Sequence, residues 1–181
     1  MANAMMCDKD IAHFIDNVLN FHPGGVLVMG APGTGKTQVQ RSLSLERPSL
    51  RVYDLDDYGH WVGKKWSVDW NAVPKDWQVL VGSPSNIEGI LANSTKEFAI
   101  VVLTRPIPEW RKTIRERLDT HKDGSVMDEY YREWLQDVHA PSDSLFKYFN
   151  SKAHSISGGK RRIYNVEMRM PKSPTPHLMS A

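Results

Sequence analysis

The segment Val26-Leu27-Val28-Met29-Gly30-Ala31-Pro32-Gly33-Thr34-Gly35-Lys36-Thr37 constrains this chain more than any other. Its four leading apolar residues do not alternate with polar ones, which predicts a strand buried on both faces inside a parallel sheet. Residues 30–37 fit G-x-x-x-x-G-K-[ST], a pattern that average composition yields by chance in about one chain in a hundred of this length. Glycines let such a loop adopt positive φ and bring its amides close to phosphate oxygens. The helical segment "QVQRSLSLE", starting near Gly35, adds the positive end of its dipole. In this reading Gly30, Ala31, Pro32, Gly33, Thr34, Gly35, Lys36 and Thr37 bind the phosphates of ATP. Lys36 supplies a mobile cation, and the Thr37 hydroxyl a ligand for Mg2+. A glycine-rich turn with an incidental lysine is the bland alternative, and the apolar strand before and helix after argue against it.

Further along, "LRVYDL" (50–55), "WQVLVGS" (77–83) and "FAIVVLT" (98–104) read as strands, with "AHSIS" and "RIYNVEM" weaker candidates around a Gly-Gly turn. Helical spacing appears in residues 9–21, in "IEGILANSTK", from Pro108 to about Leu118, from Met127 to about Val138, and in "SDSLFKYFN". Strands alternating with helices predict an α/β, three-layer P-loop NTPase fold of the nucleotide-kinase-like kind, with a mostly parallel sheet and a helical lid. At 181 residues the expectation is a single domain over 1–170 and a proline-rich, disordered tail over 171–181.

One cysteine, Cys7, excludes an internal disulfide and any zinc site built on thiolates. No run of about 20 apolar residues is present, and the N-terminus lacks a signal-peptide layout, so a soluble, cytoplasmic protein with no membrane partner is expected. The net charge of +2 is small, but "GGKRRIYNVEMRMPK" is locally basic, which is compatible with an anionic partner.

What kind of nucleotide-binding protein this is turns on carboxylates and arginines. ATP-driven machines place an acidic residue at a strand end to orient the metal and a water, whereas "VLVGSPSN" and "FAIVVLTRP" carry none. No guanine-reading N-K-x-D segment occurs. A kinase needs a base near the acceptor and arginines over the transferring phosphate. "VYDLDDYGHW" (52–61) offers Asp54, Asp56 and Asp57, and "TRPIPEWRKTIRERLDTHKDG" offers Arg105, Arg111, Arg115 and Arg117. "THKDGS" (120–125) is a candidate lid tip.

Three pieces, "GAPGTGKT", "LDDYG" and "PEWRKTIRERL", make the chain resemble the kinase domain of phage polynucleotide kinase and its relatives, over about residues 25–138. "SPSN" resembles a further Ser/Asp-x-x-Asn element of that family. The resemblance implies ATP- and Mg2+-dependent phosphorylation of a hydroxyl, with Asp56 as general base and Arg117 or its neighbour Arg115 stabilising charge in the transition state. It also implies a nucleic acid or nucleotide acceptor. One candidate is 5-hydroxymethyluracil in DNA, as in phage DNA-modification kinases; a phage-encoded chain would act in the host cytoplasm. Gly59 departs from the pattern, since the kinases it resembles carry an arginine after the tyrosine. Alternatives are a kinase of a free nucleoside or nucleoside monophosphate, and a P-loop regulatory module without kinase activity. A monomer or weak oligomer is expected.

Four of the six tryptophans (Trp61, Trp66, Trp70, Trp77) fall within seventeen residues, interleaved with Lys64, Lys65 and Lys75. Core or lid packing is one reading of them; base stacking with phosphate contact is the other. For Asp54 and Asp57 the plain reading is solvated charge. For Arg105 it is a strand-end ion pair, and for Arg115 and Arg117 a solvated helix face shared with Glu109 and Glu116. His60 is a second candidate for proton transfer, while His13, His22 and Cys7 read as structural or inert.

Overall fold

The computed structural model describes residues 4–94, 96–120, 126–136 and 141–169; the expected lid tip and tail fall almost wholly outside them. The run after His22-Pro23-Gly24-Gly25 forms β2 (Val26–Gly30), buried at each of its five positions, as the unbroken apolar pattern requires. Around it lie β1 (Ala4–Met6), β3 (Val52–Asp54), β6 (Val79–Val81), β7 (Ala99–Thr104) and β8 (Ile163–Met168). The sheet order is β1-β8-β7-β2-β6-β3, and every pairing in it is parallel. A separate antiparallel hairpin joins β4 (Gly59–Val62) to β5 (Lys65–Val68).

Side chains alternate across the strands, so each strand supplies both faces of the sheet. Val26, Val28, Val101 and Leu103 face α1 (Asp8–Phe21) and α2 (Lys36–Glu46), which contribute Ile11, Ile15, Val39 and Leu43. Leu27, Met29, Ile100 and Val102 face α6 (Pro141–Ser157) through Ala153 and Ile156. These are the three layers expected from the sequence. A smaller cluster of Trp110, Ile114 and Tyr131 joins α4 (Ile107–Thr120) to α5 (Val126–Gln136), the helical pair in the lid position.

Four local expectations change. "AHSIS" is not a strand but the last turns of α6, because Ala153 and Ile156 recur at helical spacing and bury against the sheet. The described residues of "IEGILANSTK" form a 3-10 turn at Ile87–Gly89 and one helical turn, α3 (Ile90–Asn93), rather than one continuous helix. Residues 59–68 form the hairpin, and β1 adds an edge strand on β8, neither of which the sequence reading contained. No helix among the described residues is long and apolar enough to cross a membrane.

Candidate active site

In a parallel sheet all strand C-termini lie at one edge, and ligands bind in the crevice there. Here that edge carries the glycine loop after β2, the carboxylates after β3, Ser83 after β6 and Arg105 after β7. β3 stands two strands from β2, about 10 Å at ordinary strand spacing. That gap separates the loop from the carboxylates across the site.

Gly33 and Gly35 adopt φ of +84° and +99°, conformations that side chains resist, so both glycines are needed for the turn. Each carbonyl from Gly30 to Gly33 accepts a side-chain hydrogen bond. Lys36 Nζ donates to Gly30 O at 2.6 Å and to Ala31 O at 2.9 Å. Thr34 Oγ1 donates to Ala31 O at 2.7 Å, and Ser83 Oγ to Gly30 O at 2.9 Å while accepting from Gly30 N at 2.8 Å. Trp110 Nε1 donates to Pro32 O at 2.8 Å, and Arg105 Nη1 to Gly33 O at 3.1 Å. The loop is thus fixed by its carbonyl side, which preorganises it for an anion. Ser83, Trp110 and Arg105 are positioning residues; the sequence marks Ser83 only as the head of "SPSN", assigns Trp110 no role and offers a strand-end ion pair for Arg105. That pair exists, since Arg105 Nε lies 3.8 Å from Glu109 Oε2.

Lys36 is the first residue of α2. Burial lowers its ammonium to about 8; Asp56 and Asp54 oppose that shift and Arg117 reinforces it. Thr37, beside it, is exposed at the cavity.

The three aspartates separate by role. Asp54 closes β3, and its Oδ1 accepts from Asp56 N at 2.9 Å, capping the 3-10 turn Leu55–Tyr58. Leu55 is buried and anchors that turn. Burial, the largest effect on the Asp54 carboxyl, pushes its pKa up. Asp56 lines the cavity, whereas Asp57 does not. The arginines separate too. Arg117 lines the cavity, its Nη1 3.5 Å from Tyr131 Oη, while Arg115 is exposed and outside it. Arg111 donates to Leu135 O at 2.9 Å and ties α4 to the end of α5. His60 is exposed on the other hairpin face and lines no part of the cavity.

The four clustered tryptophans have different fates. Trp77 is fully buried against Phe98, and Trp70 is half-buried on Gly89 with its Nε1 donating to Asn86 O at 2.9 Å. Trp61 and Trp66 are cross-strand partners on the hairpin, and both line the cavity. The basic residues Lys160, Arg161 and Arg162 precede β8, at the opposite end of the sheet from the glycine loop, roughly 20 Å of strand away. They do not join the site.

The cavity measures about 1220 Å3 and gathers Lys36, Arg41, Arg105, Lys112 and Arg117, offset by Asp56, Glu109 and Glu116. Among the described residues no cluster of three or more His, Cys, Asp or Glu forms a dedicated metal cage. Mg2+ is commonly held by one or two protein groups together with substrate phosphates and water, and the exposed Thr37 hydroxyl fits that requirement.

The parallel sheet, its strand order, the helices on both faces and the glycine loop after the central strand make a three-layer α/β fold with a P-loop at the C-terminal edge of its sheet. Among solved structures, the chain is similar to the crystal structure of a gluconokinase from Sinorhizobium meliloti 1021. The two are 16% identical with a TM-score of 0.46, over 83% of this chain and 85% of that one. No protein-family model matches the chain, and no curated protein does.

Proposed function

We propose that this chain is an ATP-dependent kinase, acting as one domain over residues 1–170, that phosphorylates a hydroxyl of a nucleotide, free or within a nucleic acid. One observation carries the reading: a single cavity at the C-terminal edge of the sheet gathers Lys36, Thr37, Asp56 and Arg117. The loop amides and Lys36 hold the β- and γ-phosphates of ATP. The Thr37 hydroxyl would hold Mg2+, which would supply positive charge to offset the phosphates. Asp56 accepts the proton of the acceptor hydroxyl as its oxygen bonds to the γ-phosphorus, and the bond from that phosphorus to the bridging oxygen breaks to release ADP. Arg117 stabilises the charge that spreads over the transferring group. The Asp-Asp-Tyr after β3 supports the likeness to phage polynucleotide kinase, and Asp54 holds Asp56 in place through its backbone N–H.

The test is label transfer from γ-labelled ATP to single-stranded DNA with and without 5-hydroxymethyluracil, RNA 5′ ends, free nucleosides and gluconate. Transfer to a nucleotide-class acceptor is expected, with Asp56→Asn reducing turnover about 10²–10⁴-fold. Unchanged turnover in Asp56→Asn would remove the base. No transfer to any acceptor, with Lys36-dependent ATP binding intact, would replace the kinase by a binding module.

A further inference from the structure

We infer that the β4–β5 hairpin is a base-binding platform, in which Trp61 and Trp66 take the planar ring of one unstacked nucleobase beside Asp56. The inference deepens the kinase reading and rests on it for the identity of the neighbouring phosphate site.

The cavity lining is divided by chemistry. Its cations lie on α2, on α4 and just after β7, whereas Trp61, Trp66, Tyr131 and Phe149 add aromatic rings that polyphosphate does not use. At about 1220 Å3 the cavity exceeds the roughly 300–1,000 Å3 of an ordinary single-ligand pocket, so a second ligand has room beside ATP. Flat apolar rings next to a proton acceptor suit an acceptor with a planar π-face, and every nucleobase has one.

Packing alone does not explain the pair. Trp77 shows what a packing tryptophan looks like in this chain, with no exposed surface, whereas Trp61 keeps 38% of its surface open. The two indoles meet edge to face, centroids 5.2 Å apart and planes at 71°. That geometry makes a corner, with one ring to lie against and another to abut.

The corner is held rigidly, as a specificity wall must be. An isolated two-stranded hairpin is marginal in water. Here Asn86 Oδ1 accepts from Val68 N, and Asn86 Nδ2 donates to Val68 O, both at 2.9 Å. Ser85 N donates to Trp66 O at 2.7 Å. At the tip, Tyr130 Oη donates to Lys64 O at 2.7 Å, and Lys64 Nζ lies 3.5 Å from Glu129. The hairpin is therefore bridged to α5, and its two rings at 71° offer one flat face to lie against. A base reaches it singly, as a free nucleoside or as a nucleotide unstacked from its strand.

The experiment titrates the intrinsic tryptophan fluorescence of the full chain, with ATP binding followed separately by a fluorescent ATP analogue. Thymidine, 5-hydroxymethyl-2′-deoxyuridine and a short single strand should quench saturably; 2-deoxyribose and gluconate should not. Trp61→Ala should weaken nucleoside binding about five- to hundredfold with ATP-analogue affinity unchanged, and Trp61→Phe should restore most of it. If Trp61→Ala fails to fold, the wild-type contrast between nucleoside and sugar still decides. Tighter binding of the strand than of the nucleoside assigns the ring to nucleic acid, and equal binding assigns it to the free compound. Quenching by sugars as strong as by nucleosides, or unaltered nucleoside affinity in folded Trp61→Ala, overturns the platform. Base binding without phosphoryl transfer would leave the platform standing and remove the kinase. Efficient transfer to gluconate with no base binding would do the reverse.

Discussion

The indole of Trp66 lies on the Cα of Gly59, so closely that a Cβ there would meet three of its ring atoms at 2.4, 2.5 and 2.5 Å. A side chain at position 59 has no room while Trp66 keeps this place. An arginine after the tyrosine would expel Trp66 from the cavity wall. In this chain the space of that side chain is taken by an aromatic ring.

Gly59→Ala should therefore destabilise the protein by about 1–3 kcal/mol through overpacking. Gly59 has φ −102° and ψ 160°, which any residue adopts, so the effect is steric rather than conformational. Urea denaturation of Gly59→Ala, Trp66→Leu and the double variant measures it. The two changes should couple, with the alanine costing less once the indole is gone.

Arg117→Ala should lower kcat about 10²–10³-fold, the usual loss for a donor to the transition-state charge. Arg115→Ala should leave it within about twofold, because Arg115 points to solvent outside the cavity. Single-turnover rates of label transfer compare them; equal losses would show that the ligand-free placement of the two arginines does not persist when substrate binds.

Asn86→Ala removes both side-chain bonds to Val68 and leaves a strand amide and carbonyl of the hairpin without those partners. A stability loss of about 1–3 kcal/mol is expected. Amide exchange should accelerate across residues 59–68. KM for the acceptor should rise while KM for ATP holds, since among the described residues Asn86 bonds to Val68, Trp70 and Gly89 rather than to the glycine loop.

Lys36 should make the proposed ATP binding pH-dependent. Below about pH 8 its ammonium is charged in both free and bound protein, so this group adds no slope. Above that value the free protein has lost a proton that bound phosphate restores by raising the pKa. Binding then takes up a proton, and affinity falls up to tenfold per pH unit until the bound-state pKa is reached. Calorimetry in buffers of different ionisation enthalpy should register the uptake. Lys36→Arg, charged throughout, should abolish it.

Much of the fold was legible because it rests on local chemistry. The unbroken apolar run of β2 could satisfy its pattern only in the middle of a sheet, and the loop glycines at 33 and 35 announce positive φ. Asp56 could be singled out by its position after a strand and by the Asp-Asp-Tyr it heads. The end of α6 reads as a strand because Ala153-His154-Ser155-Ile156-Ser157, taken alone, is too short to show a period, and only the burial of Ala153 and Ile156 against the sheet resolves it as helix. The choice between Arg115 and Arg117 was open for a similar reason: on one helix, what separates two arginines is the neighbour each face meets.

The sequence by itself determined a glycine loop of the P-loop pattern between a buried strand and a helix, because glycine conformations, an ammonium and a helix start are properties of adjacent residues. Only the tertiary structure decided what shares the cavity with it. Parallel strands bring the ends of β3, β6 and β7 to the edge where β2 ends, and a docked hairpin carries Trp61 and Trp66 there while leaving Trp70 and Trp77 as packing. The same parallel arrangement sends the basic residues 160–162 to the far end of the sheet. Those outcomes depend on strand order and direction, which join residues distant in the chain and leave no local mark on it.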